Sequence, residues 1–371
     1  MKKNIILFPG NFSPMNISHL MMALSSFHIL KASKVIFLPY GGEINGVPFE
    51  DRFHMANLAL EDYGLDREHF SVSNFFNGKD SFVDMVSHFK RKYSQDRLCI
   101  LLGEDEIDNL FRNKGMDKIS YLAGFYYVGR DTNFNQDLAR KYILHELPIY
   151  HIPIQSSLIR EGKELLTTRK VLDYIALHKL YFCKELSSMM KESRYLHSVS
   201  VAKTAYEIAR RNPTLDIEPY VAYQAGLFHD CGKDLPVEEQ RKIVLDHDSE
   251  YLPCPDFALH QFVGAYLAKE KFHLSHEDVI QSIRFHCTGN GNMTEMEKLI
   301  FVADKVEPTR QFETRNARLS SYRNLDNGFL HTLRDQRDYF QRKGIPFMEH
   351  DLSKQMYQNY LKENEKHVKE N

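Results

Sequence analysis

Apolar residues follow two different regimes along the 371-residue chain. In the first half, short apolar runs alternate with amphipathic stretches. Residues 4–8 read as a buried strand, and so do 34–39, 98–102, 125–128 and 148–154. Between them, helical spacing predicts helices at about 19–31, 51–62, 82–93 and 134–144. Such alternation predicts a parallel sheet covered on both faces, with ligands bound at the carboxyl ends of its strands near a topological switch point. From about residue 184 the strand signals stop. Over 195–210, Leu196, Val199, Ala202, Ala205, Ile208 and Ala209 recur at intervals of three and four. Further helices are predicted at about 219–230, 237–247, 257–271, 276–286 and 294–305, and from about 322 and 351. The charged tail 363–371 reads as frayed. The pattern therefore predicts an α/β domain over 1–183 and an all-α domain over 184–371.

Bulk composition fits that division without adding a partner. The 48 basic and 50 acidic residues nearly cancel, so nothing global points to nucleic acid or a membrane surface. Five scattered cysteines without a C-x-x-C pair suit a reducing compartment. Lys2-Lys3 precede an apolar run that breaks at Pro9-Gly10, too soon for a signal peptide, and no stretch is long enough to span a bilayer. A cytoplasmic protein is expected. The oligomeric state is not legible.

Candidate chemistry begins in the loop after the first strand, Pro9-Gly10-Asn11-Phe12-Ser13-Pro14-Met15-Asn16-Ile17-Ser18-His19, which leads into a helix. Backbone N–H groups at that helix start suit a phosphate. His19 in the first turn adds a donor where phosphoryl charge develops. Far downstream, Ser156, Ser157 and Arg160 offer two hydroxyls and a guanidinium fork for polyphosphate oxygens.

These two stretches resemble the signatures of bacterial nicotinate mononucleotide adenylyltransferases through Gly10, Phe12, Pro14, His19, Ser156, Ser157, Ile159 and Arg160. Weaker matches are Arg52 and Met55, Ser81-Phe82, and Gly103-Glu104-Asp105. The resemblance covers about 1–183 and implies a nucleotidyltransferase-like Rossmann-type sheet. It implies nucleotide contacts from Gly10, Asn11, Phe12, Asn16, His19, Gly103, Asp105, Ser156, Ser157 and Arg160, with His19 and Arg160 catalytic. The implied reaction is in-line attack of the mononucleotide phosphate on the α-phosphorus of ATP, with Mg²⁺ and release of pyrophosphate. The chain departs from the pattern at Asn16, where the signature has its first His, and at Ser18, where it has Gly. Whether the base is nicotinate or nicotinamide stays open.

The second half is organised around Gly226-Leu227-Phe228-His229-Asp230-Cys231-Gly232-Lys233. An adjacent His and Asp at the end of an apolar helix are costly to bury without a metal or other partners. His197, His260, His286 and Asp304 also fall at helix ends. Imidazole and carboxylate together suit Fe, Mn, Zn or Co rather than Ca. Six such groups exceed what one open site needs and suit two metals, with Asp230 bridging. A two-metal site supplies a nucleophile near neutral pH and clamps phosphate oxygens. Lys233 is placed to meet another phosphate.

This half resembles HD-domain phosphohydrolases, specifically the symmetrical diadenosine tetraphosphate hydrolases. The matching stretches are 194–199, 227–233, 259–260 with 264–266, 284–289 and 302–310. The resemblance implies an iron-type dinuclear centre held by His197, His229, Asp230, His260, His286 and Asp304. It also implies cleavage of diadenosine tetraphosphate to two ADP, with Asp230 and Lys233 in catalysis. The whole chain then reads as a bifunctional enzyme acting on ATP, nicotinate mononucleotide and dinucleoside polyphosphates. Asn16 motivates a rival, in which the first domain binds nucleotide without catalysis. A further rival is an interaction protein with a structural metal site.

Overall fold

β1 (Asn4–Gly10) is buried on both faces, as a central parallel strand must be. The computed structural model describes residues 2–78, 81–111, 115–129, 134–150, 153–310, 314–344 and 350–362, with the side chains of residues 105, 109, 136 and 362 outside that description. The expected tail 363–371 lies outside the described residues. The chain divides into two compact units. One is Met1–Arg160 with Leu166–Ile175, and the other is Glu161–Leu165 with Ala176–Asn371.

In the first unit, β1 leads to α1 (Ile17–Ile29), β2 (Ala32–Pro39), α2 (Phe49–Asp62), β3 (Phe70–Val72) and α3 (Phe82–Lys92). β4 (Arg97–Gly103), β5 (Ala123–Val128) and β6 (Leu144–Glu146) complete the sheet. All pairings are parallel and the order is β3-β2-β1-β4-β5-β6. β1 is thus the strand from which the chain winds first one way and then the other. Its Ile6 faces Val35 of β2 while its Leu7 faces Ile100 of β4. Ile5, Leu7, Ile36, Leu38, Ile100 and Leu102 bury one face against Met85, Val86 and Phe89 of α3.

The last strand differs from expectation. Pairing falls at Leu144–Glu146 rather than at 148–154, and the Leu147 N–H donates to the Tyr127 carbonyl at 2.8 Å as the ladder ends. Pro148 and Pro153 have no N–H to extend it; residues 151–152 lie outside the described residues. β3, with Ser71 at its centre, gave too short an apolar signal to be read.

The second unit contains α4 (Glu192–Arg211), α5 (Pro219–Phe228), α6 (Val237–His247), α7 (Leu259–Glu270), α8 (Glu277–Phe285), α9 (Glu295–Val306), α10 (Leu325–Lys343) and α11 (Asp351–Tyr357). Pro219 opens α5 at its first turn, where a missing N–H does no harm. Thr294 caps α9 in a reciprocal box with Glu297. α5 lies so close to α4 that a Cβ on Gly226 would stand 2.7 Å from the Ala202 Cα. Gly232 similarly admits the Gly264 backbone N, 2.8 Å from where its Cβ would be. These two close approaches seat the end of α5 and the turn after it against the middles of α4 and α7. Among the described residues, no helix is long and apolar enough to cross a membrane.

Candidate nucleotide cleft and candidate metal centre

A cleft of about 550 Å³ opens at the carboxyl ends of β1 and β4, where the strand order reverses. Gly10, Asn11, Phe12, Asn16, His19, Gly103, Ser156, Ser157 and Arg160 all line it, so the two distant motifs meet in one place. The Asp105 side chain lies outside the described residues. Asn16 is the N-cap of α1. Its Oδ1 accepts the His19 N–H at 3.1 Å, and its own N–H donates to His19 Nδ1 at 3.1 Å. That bond puts the proton of a neutral His19 ring on Nε2. Asn16 Nδ2 donates to Ser156 Oγ at 3.1 Å, and Ser156 Oγ donates to the Pro14 carbonyl at 3.0 Å. Arg160 donates to the Ser13 carbonyl at 2.8 Å. The residue that departs from the family pattern therefore links the first motif to the second.

Arg52 supports the cleft from behind. It is fully buried and donates to the carbonyls of Asn11, Tyr40 and Gly42 at 2.8, 2.6 and 2.7 Å. One guanidinium thus ties the loop after β1 to the loop after β2. Arg52 is only a weak match in sequence, because burial of a helical Arg has no local signal.

The second unit gathers all six expected ligands, from the ends of α5, α7, α8 and α9 and from the second turn of α4, where His197 lies inside the helix rather than at its end as expected. His197, His229 and Asp304 bring one donor atom each within 4.8 Å of one another, and so do His229, Asp230 and His286. His260 Nε2 lies 3.1 Å from His286 Nε2 and 3.3 Å from Asp230 Oδ1. His229 and His286 each donate Nδ1–H to a carbonyl three residues back, of Gly226 and Ile283, at 2.7 Å. This leaves the lone pair of each neutral ring on Nε2.

His229 Nε2 and Asp230 Oδ1 are buried without a hydrogen-bond partner. Two buried acceptors without a hydrogen bond are expensive in a dry interior, and Lys233 Nζ, 3.5 Å from Asp230 Oδ1, offsets that cost only in part. They face other imidazole and carboxylate donors, so the residues fit a bound cation of the N- and O-liganded class. Burial pushes His229 down to about 3, and burial followed by the neighbouring His286 holds His260 well below the usual imidazole range. Both rings are neutral at physiological pH, the form a metal requires. Burial works to raise Asp304, but Lys305 and Arg310 outweigh it and keep the carboxyl ionised.

A further shell was missed from sequence. Glu307 Oε1 accepts from His197 Nδ1 at 3.0 Å, and Glu307 also accepts from Ser200 and Thr309. Its signal was position, three residues after Asp304 at the end of the same helix. Buried Gln261, beside His260, accepts from the N–H groups of Cys287 and Thr288 at 3.1 Å each, and so fixes the turn after His286. Cys231 donates to the Gly264 carbonyl at 3.5 Å, and burial pushes its thiol up to about 12. It packs as a small apolar residue.

An HD domain family model matches residues 194–309. A "Probable nicotinate-nucleotide adenylyltransferase/Ap4A hydrolase" of Mycoplasma genitalium is 29% identical over 84% of this chain and 90% of its own length. A "Bis(5'-nucleosyl)-tetraphosphatase, symmetrical" of Bacillus subtilis is 31% identical over 43% of this chain and 87% of its own. A "Probable nicotinate-nucleotide adenylyltransferase" of Staphylococcus epidermidis is 28% identical over 46% of this chain and 91% of its own. Through its C-terminal half the chain belongs to the family of symmetrical bis(5'-nucleosyl)-tetraphosphatases, and it joins that half to an α/β domain similar to nicotinate-nucleotide adenylyltransferases.

Proposed function

We propose that the chain is a bifunctional enzyme with functional modules at 1–183 and 184–371, acting in the cytoplasm. The second module hydrolyses diadenosine tetraphosphate symmetrically to two ADP. The observation that carries this reading is the pair of buried acceptors without a hydrogen bond, His229 Nε2 and Asp230 Oδ1, inside a ring of imidazoles and carboxylates. His197, His229, Asp230, His260, His286 and Asp304 would hold two ions, of iron or another divalent metal. Such ions supply a nucleophile at neutral pH and charge for phosphoryl oxygens. The chain's own part is to hold its imidazoles neutral, fix their orientation and keep the site dry. Lys233, with Nζ 3.5 Å from Asp230 Oδ1 and its side chain 36% exposed, reaches outward to a phosphate.

The first module forms nicotinate adenine dinucleotide from ATP and nicotinate mononucleotide. The backbone after β1 cradles phosphate, and His19 with Arg160 offsets charge on the oxygens of the transferred group. Mg²⁺ accompanies ATP. Asn16 keeps its place by capping α1 and holding Ser156, which favours an assembled site over a degenerate one.

The two readings separate by mutation. His229→Ala with Asp230→Ala should abolish tetraphosphate hydrolysis and metal retention while adenylyl transfer continues. His19→Ala should do the reverse. Hydrolysis that survives the double substitution would sink the metal-centre reading. Absence of dinucleotide and pyrophosphate from ATP and nicotinate mononucleotide, with ATP still bound, would sink the transferase reading.

A further inference from the structure

Four cationic side chains ring the ligand cluster. Arg194 donates to Asp230 Oδ2 at 2.7 Å and Arg310 donates to Asp304 Oδ1. Lys305 Nζ lies 3.1 Å from Asp304 Oδ2, and Lys233 Nζ lies 3.5 Å from Asp230 Oδ1. Lys305 is buried, tied to the His286 carbonyl and set over the Phe301 ring, so it is part of the wall. Arg194 and Arg310 are different, with side chains 27% and 30% exposed. They stand between the cluster and solvent.

Charge accounting gives these two a task. Against the four cations stand four carboxylates: Asp230, Asp304, Glu307, which faces Arg310 Nε at 3.9 Å, and Asp234, which accepts from Arg194 Nε at 3.4 Å. Among the described residues, and with the imidazoles neutral, these charges balance, so the charge of any ions held here is left for a ligand to match. The two guanidinium groups also occupy carboxylate oxygens that face the imidazoles: Asp304 Oδ1 is 3.7 Å from His229 Nε2, and so is Asp230 Oδ2. A divalent ion drawing on those oxygens competes with the guanidinium for them and repels it. A guanidinium is permanently charged, and its planar fork matches phosphate oxygens two at a time.

We infer that Arg194 and Arg310 are the phosphate-binding residues of this centre. Each is parked on a metal-ligand carboxylate and passes to a phosphate of a polyphosphate chain when metal and substrate arrive. The inference rests on the hydrolase reading above and names the residues that would grip its polyphosphate chain, one at the Asp230 side and one at the Asp304 side.

The test uses the full chain carrying Arg160→Ala, so that the N-terminal cleft does not report. Mn²⁺ is the metal probe, followed by the spin signal of the free ion. ADP is then titrated calorimetrically into the Mn²⁺-loaded protein. Arg194→Gln and Arg310→Gln should each bind Mn²⁺ severalfold more tightly, because a competitor has gone, and bind ADP about tenfold or more weakly. Arg194→Lys, which keeps the charge but not the fork, should fall between. Loss of charge alone would also give opposite signs, so Arg194→Lys decides: an ADP affinity below the parent's marks the fork, and one equal to the parent's overturns the assignment. Mn²⁺ and ADP affinities that fall together, or ADP affinity that does not move, overturn the assignment. Failure of the parent chain to bind Mn²⁺ overturns the hydrolase reading and this inference with it, whereas a parent that binds both probes and variants that titrate like it overturn this inference alone.

Discussion

His197 Nδ1 lies 3.0 Å from Glu307 Oε1, and that bond turns the other ring nitrogen, Nε2, toward Asp304 Oδ1, also at 3.0 Å. A carboxylate behind a ligating imidazole fixes its orientation and raises its basicity. Ser200 and Thr309 in turn hold Glu307, with donor distances of 2.6 to 2.7 Å.

Glu307→Gln should therefore weaken metal binding by about 10- to 100-fold, since an amide presents N–H groups where Ser200 and Thr309 also donate. Metal content after dialysis against a weak chelator checks this. Burial works to raise Glu307, but the bonds from His197, Ser200 and Thr309 bring it down to about 2. Its folded value lies below its unfolded one. The stability it lends the metal-stripped protein is thus present above pH ~4.3 and lost as pH falls toward 2. Acid melts of the parent should show that loss, and those of the Gln variant should lack it.

Metal uptake should release a proton, and His197 is its source. Burial acts to lower His197, but its bonds to Asp304 and Glu307 prevail and raise it, whereas His229 is held down at about 3. His197 therefore still carries a proton at and somewhat above pH ~6.5. Binding should weaken as pH falls through that region, and should become independent of pH once His197 has titrated. Calorimetry in buffers of different ionisation enthalpy measures the proton directly. Equal heats in all buffers at pH ~6.5 would refute the assignment.

Gly226→Ala should cost about 1–3 kcal/mol in unfolding free energy, because the added methyl meets backbone atoms of α4 that have no rotamer to escape into. Metal affinity should fall too, since parting α4 from α5 parts His197 from His229. Adding Ala202→Gly should not restore either quantity, because the clash is with the Ala202 Cα and N. Chemical denaturation with metal analysis covers both points.

Asn16→Asp should separate stability from activity. The aspartate oxygen still accepts the His19 N–H and suits a helix N-terminus, so the melting temperature should barely change. The new negative charge stands in the cleft and the donor to Ser156 is lost, so KM for ATP should rise and adenylyl transfer should fall about tenfold or more. Asn16→Ala, by contrast, should cost about 1 kcal/mol of stability.

What could be read from sequence was whatever pairs an unusual residue type with a fixed local place. His229-Asp230 stands at the end of an apolar helix, and His19 stands at a helix start after a strand. Such residues carry their meaning in their neighbours. Glu307, Arg194 and Arg310 lie inside the matching stretches 194–199 and 302–310 but took no role from them. A charged residue near a helix end reads as ordinary solvated surface, and only the helix packed opposite decides that Glu307 is buried beneath His197. Arg52 fails for the same reason, since its acceptors are backbone carbonyls supplied by two loops. β6 was misplaced because an apolar run was weighed above the two prolines that interrupt it.

His229 appears in both groups of converging donors, yet its Nδ1–H is committed to the Gly226 carbonyl. One lone pair remains, on Nε2, and a lone pair can be given once. The two groups are therefore not two complete sets. Whichever position takes the ring leaves the other a ligand short, so a pair of ions here would be unequal from the outset.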